Sequence, residues 1–352
     1  MDENRLAFLK QLLSTPGPSG DEDAPARLWR TEARTFADSV RADVNGNSFA
    51  VLEGPGPRVL LAGHIDEIGV MVTYIDDEGF LSFGVIGGWD AQVLVGQRVR
   101  LLGQGGEVIG VIGKKPIHLL KPDERGQSSM IEQMWIDIGA TSRTEALTRV
   151  RVGTSGVLDA PLYELPNGRL VSRSLDNRVG AFIVLEALRR LNQDRPLATV
   201  AAVATAQEEI TLAGAATAAF SFEPHIAIAV DVTFSTDHPE SDKRQQGDVK
   251  LGGGPVLSRG SANSALVFQR LVEVAEAEQI PYTLQMSPRY TGTDADAIHK
   301  ARGGIATGVI SIATRYLHSP NEMVALADVE QIVHLIAAFV RSIRGEDEFI
   351  PA

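Results

Sequence analysis

The chain has 352 residues, 44% of them hydrophobic and 22% charged, and it carries a formal charge of −12. Because this length exceeds one typical domain, we expect one large domain with its own core and a smaller second one. The acidic surplus argues against a nucleic-acid-binding protein, whose footprint must be basic, and against binding to an anionic membrane. The absence of cysteine excludes disulfides and cysteine-ligated zinc sites.

The N-terminal segment predicts neither a signal peptide nor a membrane anchor. MDENRLAFLKQLL begins with acidic residues where a signal peptide has basic ones, and no apolar core region follows. The longest apolar stretch, around 197–206, is too short to cross a bilayer. We therefore expect a soluble, cytoplasmic protein.

The first quarter of the chain predicts two helices and then strands. Leu6, Leu9, Leu12 and Leu13 recur at helical spacing up to the TPGPSG loop, and EDAPARLWRTEARTF has a similar period. SVRADVNGNSFAVLEG alternates around NGN, which indicates a hairpin. The nearly all-apolar start of RVLLAGHIDEIGVMV is typical of a strand buried on both faces.

The pattern changes between residues 70 and 165, where short β-like runs are broken by glycines, as in a small barrel or sandwich. Helices (DNRVGAFIVLEALRRL, TLAGAATAAFSF, ADVEQIVHLIAAFVRSI) then alternate with strands (ATVAAVATA, HIAIAVDVT, GVISIATRYL). The sequence thus predicts an α/β fold, with a mixed, largely parallel central sheet flanked by helices and an inserted all-β, barrel-like domain. We assign residues 1–69 and 166–352 to the α/β domain and 70–165 to the insertion.

Seven acidic or histidine side chains follow apolar strands directly. They are His64 and Asp66 after RVLLAG, Asp176 after LVSRSL, Glu208 and Glu209 after TVAAVATAQ, Asp231 after IAIAV, and His318 after GVISIATRYL. In open α/β sheets, ligands bind at the carboxyl ends of the strands. Imidazoles and carboxylates are ligands for a divalent metal, whereas a nucleophilic triad would need Ser or Cys. Because converging carboxylates repel each other, the set favours two ions over one.

Taken alone, several of these residues have a structural explanation. His64 could be a hydrogen-bonded core histidine, Asp176 a helix cap, Asp231 a strand-end turn residue, and His318 a cap for SPNE. Any one of these signals is weak. Their joint appearance at five strand ends is the stronger argument for a metal site.

The pairs within this set carry more information than the single residues. Asp66 lies two residues along one strand from His64 and faces the same side, where it can fix the tautomer of a ligating imidazole. Glu208 and Glu209 are neighbours, and neighbouring side chains on a strand face opposite ways. One could therefore bind metal while the other, redirected by the turn, reaches a bound water.

Other motifs do not reach the same strength. GQGGEVIG lacks the G-x-G-x-x-G spacing, and VIGKKP lacks the upstream Gly and the following Ser or Thr of a P-loop. KLGGGP (250–255) and YTGTDADA (290–297) are interpreted as structural turns, with walls of a substrate pocket as the alternative. The remaining histidines, interpreted as structural or surface residues, are His118, His225, His238, His299 and His334.

Five motifs in this order resemble those of the M42 family of metallo-aminopeptidases: AGHIDEIG, SLDNRVG, AQEEITLAGA, AVDVT and YLHSPNE. The resemblance runs from TPGPSGDE to the last helix. It implies a peptidase α/β domain, an inserted barrel-like domain that helps assembly, and a homo-oligomer in the form of a tetrahedral dodecamer. Ala206, Thr211 and Ala213 stand where family members often carry Val, Gly and Arg, and none is a ligand position.

The resemblance also implies the metal ligands. His64, Asp176 and Asp231 would hold one divalent ion, and Asp176, Glu209 and His318 the other, so that Asp176 bridges the two. Zinc suits this ligand set best, and cobalt or manganese would fit as well because the ligands barely discriminate between them.

The implied reaction releases the N-terminal amino acid from peptides with a free N-terminus. Two divalent ions about 3.5–4 Å apart share a water and lower its pKa. The resulting hydroxide would attack the scissile carbonyl, with Glu208 as the base that takes the proton and returns one to the leaving amine. Asp66 would orient His64.

Two other functions would use similar residues. A related dinuclear carboxypeptidase or N-acyl amino acid amidohydrolase would share the ligands and the base, but would need a cation to bind a substrate carboxylate. A non-catalytic scaffold would bind metal without hydrolysis. The preferred N-terminal side chain stays open between acidic, aliphatic and basic: Arg289, Arg302 and Arg315 could select an acidic one or form surface salt bridges.

Overall fold

The computed structural model describes residues 1–123, 125–345 and 347–351. Its helices are α1 Glu3–Ser14, α2 Asp23–Ala33, α3 Ala91–Leu94, α4 Arg143–Leu147, α5 Leu175–Gln193, α6 Glu208–Thr211, α7 Ala213–Phe222, α8 Lys243–Gln246, α9 Ala265–Ala277, α10 Ala295–Ile298 and α11 Leu326–Ser342. Its strands are β1 Ser39–Ala42, β2 Ser48–Leu52, β3 Arg58–His64, β4 Gly69–Ile75, β5 Leu81–Ile86, β6 Arg98–Gly103, β7 Gly106–Lys114, β8 Met134–Asp137, β9 Ser155–Leu158, β10 Tyr163–Leu165, β11 Arg169–Ser172, β12 Thr199–Thr205, β13 Ile226–Phe234, β14 Val256–Gly260, β15 Thr283–Ser287, β16 Ala306–Thr314 and β17 Glu322–Ala325.

An eight-stranded mixed sheet forms the centre of the α/β part, in the order β1-β2-β12-β3-β13-β16-β14-β15. The four central strands, β12, β3, β13 and β16, are parallel to one another. β1, β2 and β12 pair antiparallel, and β14 runs antiparallel to β16. The carboxyl ends of the four parallel strands therefore meet at one edge of the sheet, which is where an α/β protein places its ligands.

The second unit is a closed barrel of six strands in the order β4-β5-β8-β7-β6-β9. It encloses its own cluster of buried apolar side chains, among them Val70, Leu81 and Leu101. Alternation of apolar and polar residues along short strands is sufficient to build such a core without helices. The predicted fold, a largely parallel sheet with an inserted barrel, is confirmed; the division at residues 70 and 165 stays a prediction.

The region between β13 and β16 was the least predictable from sequence. Residues 256–287 form β14, α9 and β15, to which the sequence analysis assigned no element. β14 and β15 extend the sheet beyond β16 and so form one side of the cavity described below. Within the described ranges, no helix is long and apolar enough to cross a membrane.

β3 and α5 approach each other unusually closely at Gly63, the residue before the end of β3. A Cβ atom at Gly63 would lie 2.5 Å from the carbonyl carbon of Gly180 on α5. That distance is too short for a real contact, so any side chain at Gly63 would push β3 and α5 apart.

We therefore expect Gly63→Ala to lower the free energy of unfolding by about 1–3 kcal/mol, because it overpacks a backbone contact. The measurement is the thermal unfolding midpoint. Gly105→Ala is the matched control, since a Cβ there meets nothing within 4 Å. Equal midpoints for the two variants would contradict the close approach.

Candidate metal centre

One cavity of about 450 Å³ opens at the carboxyl edge of the parallel strands. Six of the seven predicted side chains line it: His64, Asp176, Glu208, Glu209, Asp231 and His318. The seventh, Asp66, is fully buried and contacts His64. Strand ends that are far apart in sequence thus bring this set together, while the other five histidines lie outside the cavity lining.

His64 is the last residue of β3, and its side chain is almost completely buried. Its Nε2 atom lies 3.1 Å from Asp176 Oδ1, 3.7 Å from Glu208 Oε2 and 3.8 Å from Asp231 Oδ1. Its Nδ1 atom donates to the backbone carbonyl of Asp66 at 3.2 Å and lies 3.4 Å from the Asp66 carboxylate. Because Nδ1 is held as a donor, Nε2 is the ring atom that faces the carboxylates, and it is the atom that a metal would bind in place of a proton.

Asp176 stands between the two imidazoles. Its Oδ1 atom is 3.1 Å from Nε2 of His64, and its Oδ2 atom is 3.2 Å from Nε2 of His318. The helix-cap explanation fails for Asp176: its backbone and that of Asn177 are non-helical within the first turn of α5, but it is Asn177 Oδ1 that accepts the cap hydrogen bond, from the N–H of Gly180 at 3.1 Å. This irregular start turns the carboxylate toward the sheet edge, so that each of its oxygens faces a different histidine.

Glu208 and Glu209 begin the short helix α6 and are not part of a strand. β12 ends at Thr205, and Gln207 takes a left-handed conformation with φ 59°. The opposite-facing rule for strand neighbours therefore does not apply to this pair. Glu208 Oε2 reaches to 3.7 Å from His64 Nε2, and Glu209 Oε2 to 3.6 Å from His318 Nε2.

Asp66 connects these elements. The sequence pattern predicted Asp66 on the same strand as His64. In the structure β3 ends at His64, so Asp66 lies just beyond the strand. Its two carboxylate oxygens accept hydrogen bonds from the backbone N–H groups of Glu208 and Glu209, each at 3.1 Å. One buried carboxylate therefore fixes both the imidazole of His64 and the start of α6.

Sequence reasoning missed Glu322, a buried carboxylate in the YLHSPNE segment. Glu322 Oε2 accepts a hydrogen bond from the backbone N–H of Asp176 at 2.9 Å, and Oε1 accepts one from the N–H of His318 at 3.1 Å. It thereby joins two segments that are far apart in sequence. Its position four residues after a candidate ligand was a signal, but the contact with Asp176 exists only in the folded chain.

Sequence reasoning also missed a network of buried charges around Glu67, the residue that follows Asp66. Glu67 accepts hydrogen bonds from the guanidinium groups of Arg173 and Arg178, and all three side chains are buried. Arg178 also donates to the carbonyl oxygens of Leu12 at 3.1 Å and Ile65 at 3.0 Å. The network ties α1 and the segment after β3 to α5. Its buried anion is paired with cations, whereas the carboxylates of the cavity outnumber the imidazoles that face them.

Burial and mutual repulsion dominate the electrostatics of the cavity. Burial, together with the charges of Asp231, Asp294 and Asp176, raises the pKa of Glu208 to about 10. Burial and the charge of Asp176 also raise the pKa values of Glu209 and Asp231 well above the usual range. Several carboxylates that oppose one another's ionisation require positive charge beyond what two imidazoles supply.

Asp176 behaves in the opposite way. Burial alone would raise its pKa, but hydrogen bonds from His318 and His64 outweigh that effect and hold the pKa well below its usual range. Likewise, burial opposes the charging of His64, yet Glu208, Asp176 and Asp66 raise its pKa well above the ordinary value. The carboxylates thus favour positive charge at the histidines, a role that metal cations can fill.

The donor set fits divalent cations on a further observation. Oε1 of Glu209 is buried and has no hydrogen-bond partner among the described residues, which is costly for a carboxylate oxygen unless it binds a cation. Two groups have ligand atoms within 4.8 Å of one another: His64, Asp176 and Glu209, and His64, Glu208 and Asp231. Glu208 is thus close enough to be a ligand as well as a base.

The barrel also contributes to the edge of the site. Nδ1 of His318 donates to the backbone carbonyl of Gly88, in the segment between β5 and α3, at 2.8 Å. Of the two glycine-containing loops, YTGTDADA lines the cavity with residues 291–293. KLGGGP is structural, because the N–H groups of Gly252 and Gly254 donate to Asp328.

Comparisons with known proteins give consistent results over most of the chain. The family model described as M42 glutamyl aminopeptidase matches residues 46–335. The lysyl aminopeptidase of Pyrococcus furiosus is 36% identical over 344 residues, which cover 97% of this chain and 98% of that protein.

Two solved structures have the same fold over nearly their full length. The TET aminopeptidase of a marine sediment archaeon of the Thaumarchaeota superposes with a TM-score of 0.93 at 35% identity, covering 97% of both chains. The TET1 peptidase of Pyrococcus horikoshii, which can assemble into a tetrahedron or a large octahedral shell, superposes with a TM-score of 0.86 at 31% identity, covering 96% of this chain and 100% of that one. The chain therefore belongs to the M42 family of metal-dependent aminopeptidases, hydrolases that act on peptide N-termini.

Proposed function

We propose that this chain is a dinuclear aminopeptidase in which Glu208 serves as general base and acid. The observation that carries the proposal is the position of Asp176, with one carboxylate oxygen facing each of two imidazoles at 3.1 and 3.2 Å. A carboxylate in that position suits a bridge between two cations. A single ion would leave one of the two histidines without a role.

The ligands then divide between two ions. His64, Asp176 and Asp231 would hold the first, and Asp176, Glu209 and His318 the second. When bound, the two ions would supply a water that is acidic at neutral pH and Lewis acidity at the scissile carbonyl. Zinc fits the nitrogen and oxygen donors, and cobalt or manganese would fit the same set.

The remaining polar groups would position and move the proton. Glu208 lines the cavity next to His64, and Asp66 fixes its backbone. With cations offsetting the repulsion that raises its pKa, its carboxylate would be ionised, and it could then take a proton and deliver it to the leaving amine. Asp66 would hold His64 in the tautomer with Nδ1 protonated. Glu322 would hold the backbone at Asp176 and the backbone at His318 in fixed positions relative to each other.

The cavity favours an aminopeptidase over the two related hydrolases. A carboxypeptidase or an N-acyl amino acid amidohydrolase needs a cation for a substrate carboxylate. Among the described residues, no Lys or Arg lines the cavity. A free α-amine needs no such cation.

The experiment on the base is Glu208→Gln. We expect the variant to keep two metals per chain and the fold, while the hydrolysis of aminoacyl-p-nitroanilides falls by about 10²–10⁴-fold, because proton transfer is lost. Rates are measured after chelator stripping and reloading with zinc, cobalt or manganese, and metal content by elemental analysis. Glu273→Gln, an exposed change on α9, is the control. Loss of one metal ion from Glu208→Gln would make Glu208 a ligand instead, and turnover of N-acyl amino acids alone would favour the amidohydrolase.

Metal stoichiometry tests the bridge. We expect Asp176→Asn to lose both ions, because each imidazole then faces a weaker, neutral partner. Glu322→Gln should weaken retention of the ion at His318, since an amide cannot accept at both ends. The measurement is metal content after dialysis against graded chelator. Wild-type retention in Asp176→Asn would contradict the bridging role.

We propose further that residues 70–165 form a separate domain that serves self-assembly. The barrel exposes apolar side chains, with Tyr74, Ile109 and Val111 each about half accessible. Ile109 and Val111 lie two residues apart on β7 and share its outer face, and contiguous exposed apolar surface is typical of an interface. The Pyrococcus horikoshii relative, as its description states, assembles into a tetrahedron or an octahedral shell.

Light scattering tests the assembly. We expect a particle of about twelve times the chain mass of 37.8 kDa, the number of subunits in a tetrahedral dodecamer. Ile109→Glu should produce smaller particles, because a charge cannot be buried unpaired in an interface; Glu107→Gln, on the same strand, is the control. A monomeric wild-type chain would refute the proposal.

A further inference from the structure

The cavity continues from the metal ligands across the face of the sheet. One buried wall of the cavity consists of Ser258 on β14 and of Val309 and Ser311 on β16, which are 5%, 2% and 3% exposed. Ser311 pairs with the candidate ligand Asp231 across β16 and β13. This wall therefore begins directly beside the metal centre, where the side chain of a substrate's first residue would point.

The outer part of the cavity, beyond this wall, is lined by uncharged residues. Gln285 on β15, the register partner of Ser258, lines it, and Phe234 and Met286 stand at the mouth, more than half exposed. Gln285 is held in place: its Oε1 accepts from the hydroxyl of Thr233 at 3.0 Å, and its Nε2 donates to the carbonyl of Gln246 at 3.3 Å. We call the set of six residues the side-chain pocket: Gln285, Phe234, Met286, Ser258, Val309 and Ser311.

The side-chain pocket offers no counter-charge to a substrate. Among the described residues that line the cavity, the titratable ones are the six of the metal centre. Arg315 and Arg302, which could have selected acidic residues, pair with Asp237 at 2.8 Å and Glu223 at 2.7 Å. Neither they nor Arg289 line the cavity.

Two nearby lysines also form ion pairs with a carboxylate of the protein. Behind Gln246, the ammonium groups of Lys243 and Lys250 both contact Asp248, at 2.6 and 3.0 Å. A charged substrate side chain would therefore lose water in the pocket without gaining a partner, which is costly. An uncharged chain loses less on entry and gains contact with Val309, Phe234 and Met286.

We propose that the enzyme selects N-terminal residues with uncharged side chains, such as Leu, Met and Gln, over acidic and basic ones. This inference rests on the proposed aminopeptidase function. The proposed preference for uncharged N-terminal residues would distinguish this chain from the Pyrococcus furiosus relative, which is described as a lysyl aminopeptidase.

The test is a panel of p-nitroanilides of Leu, Met, Gln, Glu, Lys and Arg with the metal-loaded full-length protein. We expect kcat/KM for at least one of the first three to exceed that for each of the charged three by about tenfold or more, the size of effect that one unfavourable group in a pocket produces. Calorimetric titration of metal-loaded Glu208→Gln with leucine amide, lysine amide and glutamic acid α-amide gives the same order without turnover.

A charge swap tests the location. Gln285→Glu places a carboxylate in the side-chain pocket, so the ratio of Lys to Leu hydrolysis should rise about tenfold. Gln245→Glu makes the same chemical change on the neighbouring exposed helix α8, outside the cavity lining, and should leave the ratio unchanged.

The outcomes distinguish this inference from the proposed function. Best activity on Glu, Lys or Arg would overturn the neutral pocket and leave the aminopeptidase standing. No activity on any p-nitroanilide with any of the metals would overturn the proposed function and this inference with it. An equal rise of the Lys to Leu ratio in Gln245→Glu would refute the assignment of Gln285 to the side-chain pocket.

Discussion

The structure depends on one constraint: several carboxylates are buried at one sheet edge with only two imidazoles to balance them. Asp176 is the centre of this arrangement, because its two oxygens face His64 and His318. An uncompensated cluster of this kind would destabilise the fold by mutual repulsion, whereas bound cations convert it into a stable site. We therefore expect bound metal to stabilise this region of the fold.

Buried acceptors outside the cavity hold the cluster in place. Asp66 binds the start of α6, and Glu322 binds the backbone beside Asp176 and His318. Both carboxylates use backbone N–H groups, which cannot rotate away, so they fix the position of the chain more firmly than contacts between two side chains would. The ligands can consequently sit on irregular turns, where regular helix or strand geometry would point some of them elsewhere.

Charge is distributed unevenly between the centre and its surroundings. The metal centre contains all the titratable groups that line the cavity within the described chain, and the adjoining pocket is built from Ser258, Gln285, Val309 and Ser311. In the proposed enzyme, chemistry and selectivity would thus be largely separated in space, because the pocket residues lie on β14, β15, β16 and the end of β13, and of these strands only β13 carries a candidate ligand, Asp231.

The sequence by itself determined the sheet, the barrel and the set of polar residues at the strand ends, because apolar runs of strand length and helical periods are local signals. It also identified His64, Asp176, Glu208, Glu209, Asp231 and His318 as a group, through a rule about carboxyl ends that needs no distances. Only the tertiary structure decided that Asp176 lies between two histidines, that Glu322 joins Asp176 to His318, and that the pocket beside them is neutral. The contacts of Asp176 with His64, His318 and Glu322 join segments separated by more than a hundred residues, and the pocket requires β13, β16, β14 and β15 to lie side by side. Turns such as that at Gln207 also have a geometry that is set by packing rather than by local sequence.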